Sequence, residues 1–544
     1  MTIDYIVTGA GPAGCAIAAR LSEDPTVTVL LIEAGGSDRH PFFHMPAGFA
    51  KMTKGIASWG WSTVPQKHLD GRVLRYTQAK VIGGGSSINA QVYARGNAKD
   101  YDSWAYDHRC SGWSFAQLLP YFKRAEDNQR FVDDYHAAGG PIGVSMPVNP
   151  LPISEAFIRA AQQFGMPYNP DFNGARQEGV GHYQVTVRNA RRSSAAGGYL
   201  RPIRDRRNLT IRTGAMATRI VVEQGRAVGV EIVEAGRKSI LRCEREVLVT
   251  SGAIGSPRLL LLSGIGPADH LNSVGVDVVH DLPGVGQNLQ DHLDLYAIAE
   301  CSGDHTYDNY AKLHRTLWAG AQYILFKNGP VASTLFETGG FWYADRSARS
   351  PDIQFHLGLG SGIEAGVPKL NNPGLTLNSS FLRPRSRGTV RLRSGNPSEH
   401  PLIDPNYWAD PYDRAMSLEG LRMARDILRQ KALEPFLIAE RQPGPEAVSE
   451  QDLAEYAFRS CKTDHHPSGT CRMGVDAMAV VSPDLKLRGL EGLRVCDSSI
   501  MPAIPSSNTN APTLMIGEKA ADLIAGKPPL PAVNLKPERA TSQA

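Results

Sequence analysis

Apolar, β-branched runs alternate with a segment of small residues at the start of the chain, which predicts a parallel α/β unit. Residues 3–8 (I-D-Y-I-V-T) and 26–32 (T-V-T-V-L-L-I) are predicted to form buried strands. Residues 15–21 between them are small and apolar, which favours a helix packed tightly on a sheet. Residues 246–250 (E-V-L-V-T) predict a further strand of the same sheet.

A different pattern follows in the middle of the chain. Residues 209–212, 218–223 and 228–233 predict short strands, and residues 224–226 (Q-G-R) predict the turn before the last of them. This arrangement is typical of an antiparallel hairpin.

A glycine motif lies between the first predicted strand and helix. Gly9 permits a tight turn, Gly11 lets the backbone approach a pyrophosphate, and Gly14 lets the helix lie close to the strand. Glu33 follows Gly14 by 19 residues, where a carboxylate can accept hydrogen bonds from ribose hydroxyls. A glycine motif alone is weak evidence, but this context predicts a dinucleotide site. The motif leaves FAD and NAD open, and Glu33 disfavours the 2′-phosphate of NADP.

Residues 83–85 are three consecutive glycines, which suit neither a helix nor a strand because their backbone entropy cost is high. The segment suits close contact with a flat or charged ligand, and a plain surface loop is the alternative.

Composition and charge narrow the class of protein. The 544 residues are 42% hydrophobic and 21% charged, with a net charge of +4, which excludes a disordered chain. This length predicts at least two lobes. Nothing in this near-neutral balance indicates nucleic acid or an anionic membrane as the main partner. The eight arginines within residues 188–212 are expected to form a solvated face with salt links.

The cysteines and the chain start bear on location. Seven cysteines show no C-x-x-C pair, so neither a zinc site nor a disulfide framework is expected, and no metal is predicted. No signal peptide or membrane-spanning run of about 18 apolar residues is visible. We therefore expect a cytoplasmic protein with reduced thiols.

Five sequence blocks in order give the chain its resemblance to a known family. It resembles the glucose–methanol–choline (GMC) family of FAD oxidoreductases, and within it the choline-dehydrogenase-like branch, especially FAD-dependent L-sorbose dehydrogenases. The blocks are residues 79–102, 252–266, 284–292, 466–474 and 497–502, and the closer likeness lies in residues 40–46 and 168–174.

The resemblance implies an α/β fold, α+β overall, with two lobes. A Rossmann-like FAD lobe with a β-meander is expected from residues 1–145, 200–300 and 462–530. A substrate lobe built on an antiparallel sheet with helices is expected from residues 146–199 and 301–461. Residues 531–544, rich in proline and polar residues, are expected to form a flexible tail.

The resemblance also implies which residues contact the flavin. Ile88 stands where some relatives carry a histidine bonded to the flavin, so a noncovalent FAD is expected. The expected cofactor residues are Gly9, Gly11, Pro12, Ala13, Gly14, Glu33, Ala34, Gly83, Gly84, Ser87, Asn89, Ala217, Asp497, Asn508 and Thr509.

Alcohol oxidation by hydride transfer needs a base for the hydroxyl proton, and histidine suits this near neutral pH. His466 occupies the family's catalytic histidine position, and Asn508 matches its Asn-or-His partner, with Asn510 as the rival assignment. His465 either shapes the pocket or shares the proton. Asp294 is either a substrate contact or a surface acid, and Trp61, with Trp59, either walls the pocket or belongs to the core.

The resemblance implies an FAD-dependent dehydrogenase of a primary alcohol or a sugar or polyol hydroxyl, sorbose-like, with a quinone-type electron acceptor. The alternatives are an oxygen-using alcohol oxidase of the same family and a non-redox hydroxynitrile lyase of the same fold.

Overall fold

Two large sheets organise the described part of the chain, residues 2–52 and 55–535 of a computed structural model. The α-helices α1 to α11 are, in chain order, Pro12–Leu21, Phe49–Met52, Ala98–Tyr106, Phe115–Ala125, Pro152–Phe164, Gly252–Leu262, Ala268–Ser273, Leu313–Phe326, Pro411–Leu428, Glu450–Ser460 and Asn510–Ile524. The strands β1 to β23 are Tyr5–Thr8, Val29–Glu33, Glu126–Asn128, Ile142–Val144, Gly179–His182, Val187–Arg188, Arg191–Arg192, Leu209–Thr213, Ala215–Glu223, Arg226–Glu234, Arg237–Arg242, Glu246–Val249, Ile265–Gly266, His280–Asp281, Leu293–Cys301, Phe336–Trp342, Ile353–Gly358, Gly374–Phe381, Thr389–Arg391, Leu402–Asp404, Leu437–Gln442, Lys462–Thr463 and Leu493–Val495.

The first sheet is parallel, in the order β23-β12-β1-β2-β8. It confirms the strands predicted at residues 3–8, 26–32 and 246–250, within two to three residues at each end. The strand predicted at residues 209–212 is β8, and it pairs with β2 in this sheet. All of β1 and β2 is buried, as continuous apolar runs in a covered parallel sheet should be.

Helix α1 lies between this sheet and α11. A Cβ atom on Gly517 of α11 would lie 2.7 Å from the Cα of Ala13, so the two helices meet with their backbones almost in contact. The small residues of α1 therefore allow a close helix pair over the glycine motif.

A three-stranded antiparallel meander, β9-β10-β11, follows β8. It confirms the hairpin predicted for residues 218–233 and extends it by the strand Arg237–Arg242. Among the arginines of residues 188–212, Arg188, Arg201 and Arg212 form ion pairs with Asp127, Asp38 and Glu234, in keeping with the expected salt links.

The second sheet is antiparallel, in the order β21-β15-β18-β17-β16-β5, with β22 also paired to β15. Helix α9 packs on β15 and β18. The fold class is therefore confirmed as mixed α/β. Strand β15 ends at Cys301 and belongs to this sheet, although residues 200–300 are predicted as part of the FAD lobe. The division into lobes stays a prediction.

The predicted tail is described only at its beginning. The Val533 N–H donates to the Ala116 carbonyl at 3.0 Å, and Leu530, Val533 and Leu535 pack against the core. Val533 and Leu535 are therefore partly buried against the body of the protein, and the flexible tail stays a prediction. Residues 536–544 lie outside the described residues. No helix within the described ranges combines the length and apolarity needed to cross a membrane.

Candidate active site

One continuous cavity runs from the glycine motif after β1 to the histidine pair before Pro467. Of the residues predicted to bind cofactor or substrate or to act in catalysis, most line it. Those that do are Gly9, Gly11, Pro12, Ala13, Glu33, Ala34, Trp59, Trp61, Gly84, Asn89, Ala217, His465, His466, Asp497, Asn508, Thr509 and Asn510. Those that do not are Gly14, Gly83, Ser87 and Asp294.

The glycine motif allows backbone contacts that a side chain would block. A Cβ atom on Gly14 would lie 2.0 Å from the Gly9 carbonyl oxygen, and one on Gly9 would lie 2.5 Å from the Thr250 carbonyl oxygen. Gly11 precedes α1 without a side-chain cap, and the first turn contains no acid. The free N–H groups of this turn and the positive end of the helix dipole therefore face the cavity, an arrangement that suits a phosphate.

Glu33 ends β2 at the wall of the cavity. Its carboxylate accepts hydrogen bonds from the N–H groups of Ala10, at 3.0 Å, and Gly35, at 2.7 Å. Burial raises the pKa of Glu33 to about 7 despite these two bonds. Hydrogen bonds from ribose hydroxyls would offset part of that burial cost by stabilising the charged form.

The second glycine loop lies against the first. A Cβ atom on Gly84 would lie 2.7 Å from the Cα of Gly11, and Gly83 N–H donates to the Ala10 carbonyl at 2.7 Å. Ser87 donates to the Ile82 carbonyl at 2.8 Å, so this hydroxyl holds the loop instead of lining the cavity. The loop is therefore part of the nucleotide cleft and not a plain surface loop.

Asp497 and Asn89 complete this wall through contacts within the protein. Asp497 accepts hydrogen bonds from Gly252 N–H at 2.8 Å and from the Ser256 hydroxyl at 2.5 Å. Asn89 accepts one from Arg192 at 2.7 Å. Their side chains thus hold the backbone of two cavity segments in place.

Several buried polar atoms of the cavity wall have no hydrogen-bond partner among the described residues. They include Thr77 Oγ1, Gln91 Oε1 and Asn510 Oδ1. A buried polar group left unpaired costs about 1–3 kcal/mol, so this wall is suited to a polar ligand. Together with the glycine cradle and Glu33, these atoms fit an FAD molecule laid along the cavity.

The loop that carries His466 is anchored by a buried carboxylate that the sequence analysis did not single out. Asp291 accepts hydrogen bonds from His466 N–H at 2.7 Å, Thr463 Oγ1 at 2.6 Å and Tyr76 OH at 2.8 Å. Tyr407 OH donates to the same carboxylate. These contacts fix the backbone position from which His466 extends.

The Nδ1 atom of His466 faces two acceptors. It lies 3.0 Å from His292 Nδ1 and 3.4 Å from a carboxylate oxygen of Asp464. His292 Nε2 lies 3.1 Å from the Leu382 carbonyl and must donate to it, which leaves Nδ1 of neutral His292 as an acceptor. Burial lowers the pKa of His292 well below its ordinary value. The network therefore assigns the proton of His466 to Nδ1.

The other ring nitrogen of His466 then carries the lone pair. Its Nε2 lies 3.2 Å from the amide nitrogen of Asn508, whose oxygen accepts a hydrogen bond from Gln354 at 3.0 Å. Asn508, and not Asn510, is thus the amide neighbour of this atom. Burial, with smaller contributions from His356, His465 and Lys462, lowers the pKa of His466 well below 6.5, so the ring is a neutral base.

Polar residues beside His466 form the other end of the cavity. His465 has a left-handed backbone (φ 61°), and its buried Nδ1 has no hydrogen-bond partner within the described residues. Burial and the Lys462 charge lower the pKa of His465 to about 4. Glu364 lines this end, 3.1 Å from Lys462, and that cation outweighs burial and lowers the pKa of Glu364.

Asp294 does not reach the cavity. It is fully buried, bonded to Lys462 at 2.5 Å and to Ser380 at 3.0 Å. Burial raises the pKa of Asp294 to about 6. The expectation that Asp294 either contacts the substrate or lies on the surface is corrected: it is the buried counter-ion of Lys462. The acids that line this end of the cavity are Glu364 and Asp464.

Aromatic side chains form much of the remaining wall. The rings of Trp59 and Trp61 stack with centroids 4.9 Å apart, and both line the cavity. Phe49, Phe336 and His356 also line it, and none of them lies in a recognised block. The sequence carried no local signal for these three, because they reach the cavity only through the folded second sheet and the segment around α2.

Family comparison matches two parts of the chain. The N-terminal model of the GMC oxidoreductase family matches residues 3–294, and the C-terminal model matches residues 384–517. Together they span more than half of the 544 residues and include His292, His466 and Asn508.

Individual relatives extend over nearly the whole chain. The chain is 42% identical over 541 residues to oxygen-dependent choline dehydrogenase of Brucella ovis, covering 99% of this chain and 98% of that one. It is 40% identical over 554 residues to the mitochondrial choline dehydrogenase of Mus musculus, covering 99% and 92%. Pyridoxine 4-oxidase from Mesorbium loti has a similar structure, with a TM-score of 0.87, 31% identity and coverage of 96% and 98%.

Proposed function

The chain belongs to the GMC oxidoreductase family and is an FAD-dependent oxidoreductase of alcohol CH–OH donors, and we propose that its substrate is a primary alcohol or a sugar or polyol hydroxyl. The observation that carries this proposal is the single cavity that joins the nucleotide cleft to the His466–Asn508 pair. A quinone-type acceptor and a noncovalent FAD complete the proposal, the latter because Ile88 offers only hydrocarbon to the cavity.

FAD, when bound, accepts the hydride from the alcohol carbon, and the protein controls the hydroxyl proton. His466 Nε2, whose lone pair faces the Asn508 amide, would take that proton from an alcohol oxygen placed beside it, and the second N–H of the Asn508 amide would donate to the same oxygen. A base placed in this way contributes about 10²–10⁴-fold to the rate. Burial keeps the base neutral and therefore ready at ordinary pH.

The polar end of the cavity supports a substrate with several hydrogen-bond donors. Glu364, Asn378 Oδ1 and His465 Nδ1 offer acceptors there, and the latter two lack partners among the described residues. Polyol hydroxyls can donate to such a wall. Lys462 pairs with both Asp294 and Glu364, so its charge offsets only part of the acid charge at this end, and the proposal of a neutral substrate depends on those two acceptors.

A cationic alcohol is the second candidate substrate. The nearby carboxylates of Glu364 and Asp464 line the cavity, and two curated relatives are named choline dehydrogenases. Choline and its neutral carbon isostere separate the two candidates, because they differ only in the charge.

Anaerobic mixing of the yellow holoenzyme with L-sorbose, a linear polyol, choline and that isostere tests the proposal. We expect the polyhydroxy compounds to bleach the flavin absorbance, and choline to have no advantage over its isostere. Bleaching by choline alone would reject the neutral substrate class, and a flavin that no alcohol bleaches would favour the lyase.

The acceptor is tested separately with the substrate so identified. We expect reduction of a soluble quinone to exceed oxygen uptake under the same conditions. Equal or faster oxygen uptake would reject the quinone, and one relative is indeed named oxygen-dependent.

His292 is proposed as a positioning residue that selects the tautomer of His466. His292→Leu removes the nearer of the two acceptors that face His466 Nδ1 and leaves only the longer contact to Asp464, so we expect flavin reduction to slow at least tenfold and its pH profile to change shape. His292→Asn places an amide oxygen near the former Nδ1 and should restore most of the rate. Stopped-flow reduction rates between pH 6 and 9 check both variants, and equal losses in Leu and Asn variants would contradict the role.

A further inference from the structure

Helix α8, Leu313–Phe326, has an apolar face that points away from the protein. Ala319 and Tyr323 face inward, and Tyr323 OH donates to the Ala190 carbonyl at 3.0 Å. With 3.6 residues per turn, Leu313, Leu317 and Ile324 fall on the opposite side. A surface helix ordinarily has polar residues there, so the polarity of α8 is reversed.

This α8 face is large. Six large apolar side chains of α8 are between 64% and 75% exposed: Leu313, Leu317, Trp318, Ile324 and Leu325 form the outward face, and Phe326 ends the helix nearer the side of Tyr323. The largest apolar patch on a monomeric protein is ordinarily about 300–600 Å² and is often functional. Six side chains of this size reach that scale, so this surface is suited to contact with another molecule.

The charged residues in the segment that contains α8 are all positive. Residues 309–336 contain no Asp or Glu, but they contain Lys312, Arg315 and Lys327. Arg315 pairs with Asp304 at 2.5 Å. Lys312 and Lys327 lie at the two ends of the helix and have no ion-pair partner in the described ranges. Lys327 also shares a surface depression with Arg130.

We propose that the α8 face docks on an anionic phospholipid bilayer. Helices that lie in a membrane interface combine Trp, Phe and Leu on one face with flanking Lys or Arg, as α8 does. A second copy of the chain fits less well, since a two-fold contact would bring Lys312 and Lys327 of both copies together without an acid in the segment.

Docking through α8 would also fix where the cavity lies. Only residues 327–335 separate the helix from Phe336, which lines the cavity. Ten residue steps of extended chain span at most about 35 Å. The part of the cavity wall that Phe336 forms would therefore lie within about 35 Å of the end of the docked helix.

Vesicle flotation of the full-length holoenzyme tests the proposal. We expect binding to phosphatidylcholine vesicles that contain phosphatidylserine or phosphatidylglycerol, reduced by high salt, and weak binding to pure phosphatidylcholine. The double variant Leu317→Ser/Trp318→Ser should weaken binding at least tenfold with unchanged flavin content. Lys312→Gln/Lys327→Gln should weaken binding only to the anionic vesicles.

A matched control is Tyr106→Ser, which removes an aromatic residue that is 73% exposed on another helix, α3, and should bind vesicles as the wild type does. Equal vesicle binding by the wild type and the Leu317/Trp318 variant would overturn the proposal. Absence of vesicle binding by the wild type would also overturn the proposal. If sedimentation velocity then showed that the Leu317/Trp318 variant converts a dimer to a monomer, the face would be a protein interface.

Discussion

His466→Ala is expected to bind FAD normally and to reduce it about 10²–10⁴-fold more slowly with substrate. The ring lies beyond the nucleotide cleft, so its loss leaves Gly9, Gly84 and Glu33 untouched. It removes Nε2, the lone pair that Asn508 faces at 3.2 Å. Anaerobic stopped-flow measurement of flavin reduction gives the rate, and the absorbance of the purified protein gives the flavin content.

The histidine on the exposed face of α8 provides the control. His314→Ala removes a ring of the same kind outside the cavity and should leave the rate unchanged. A His466→Ala rate within a few-fold of the wild type would exclude His466 as the base.

Comparing Asn508→Ala with Asn510→Ala then separates the two rival amides, and only Asn508→Ala should slow flavin reduction strongly.

The pH dependence of the wild-type rate of flavin reduction should also show whether His466 is neutral. Burial lowers the pKa of His466 well below its ordinary value of about 6.5, so protonation is disfavoured. Because the neutral ring is the active form, its rate should persist as the pH falls through 6.5 and decline only at lower pH. A decline centred at or above 6.5 would show that the ring is not held neutral by burial.

Gly14→Ala is expected to yield a protein without flavin or a protein that does not accumulate in soluble form. The added Cβ would lie 2.0 Å from the Gly9 carbonyl oxygen and 2.7 Å from Thr250 Oγ1. Backbone at Gly9 cannot move without opening the turn that faces the cavity. The ratio of flavin to protein absorbance after purification measures the loss.

Gly36→Ala is the matched control at the same wall of the first sheet. Nothing lies within 4 Å of a Cβ atom there, and its backbone is not left-handed, so flavin content should be unchanged. Full flavin content in Gly14→Ala would mean that α1 can shift away from β1 at little cost. That result would contradict the close packing of α1 on α11, where Ala13 meets Gly517.

The unit formed by β1, α1 and β2 in the first sheet was predictable because its information is local, whereas the edge strand β23 lies at residues 493–495 and carries no such signal. Residues 3–33 contain the strand, turn, helix, strand and acid within one stretch, and burial on both faces makes the strands continuous apolar runs. The second sheet was not predictable strand by strand. Strand β15 pairs with β18, β21 and β22, whose residues lie about 70 to 170 positions later, and no periodicity specifies such partners.

The candidate site also contains some residues that the sequence predicts and others that it does not. His466 could be placed in the candidate site because it lies in a recognisable block, and Asn508 because it matches the Asn-or-His position shortly after the last block. Glu364 lies in no block, and it reaches the cavity through the second sheet. The position of Asp294 was predicted wrongly because sequence spacing indicates the side of a strand but not the residue that packs against it. In the structure Lys462 packs against Asp294.

The order of strands in the first sheet has a consequence for how the protein is made. Strand β1 is synthesised first, but its sheet is closed by β23, Leu493–Val495, and its helix is covered by α11. At about 5–20 residues per second, roughly 25–100 s separate the two on the ribosome. Asp497, Asn508 and Thr509 of the cavity wall are synthesised in the last tenth of the chain, so the cavity is complete only near the end of translation. A chain stopped before that tenth would leave the small residues of α1 uncovered by α11.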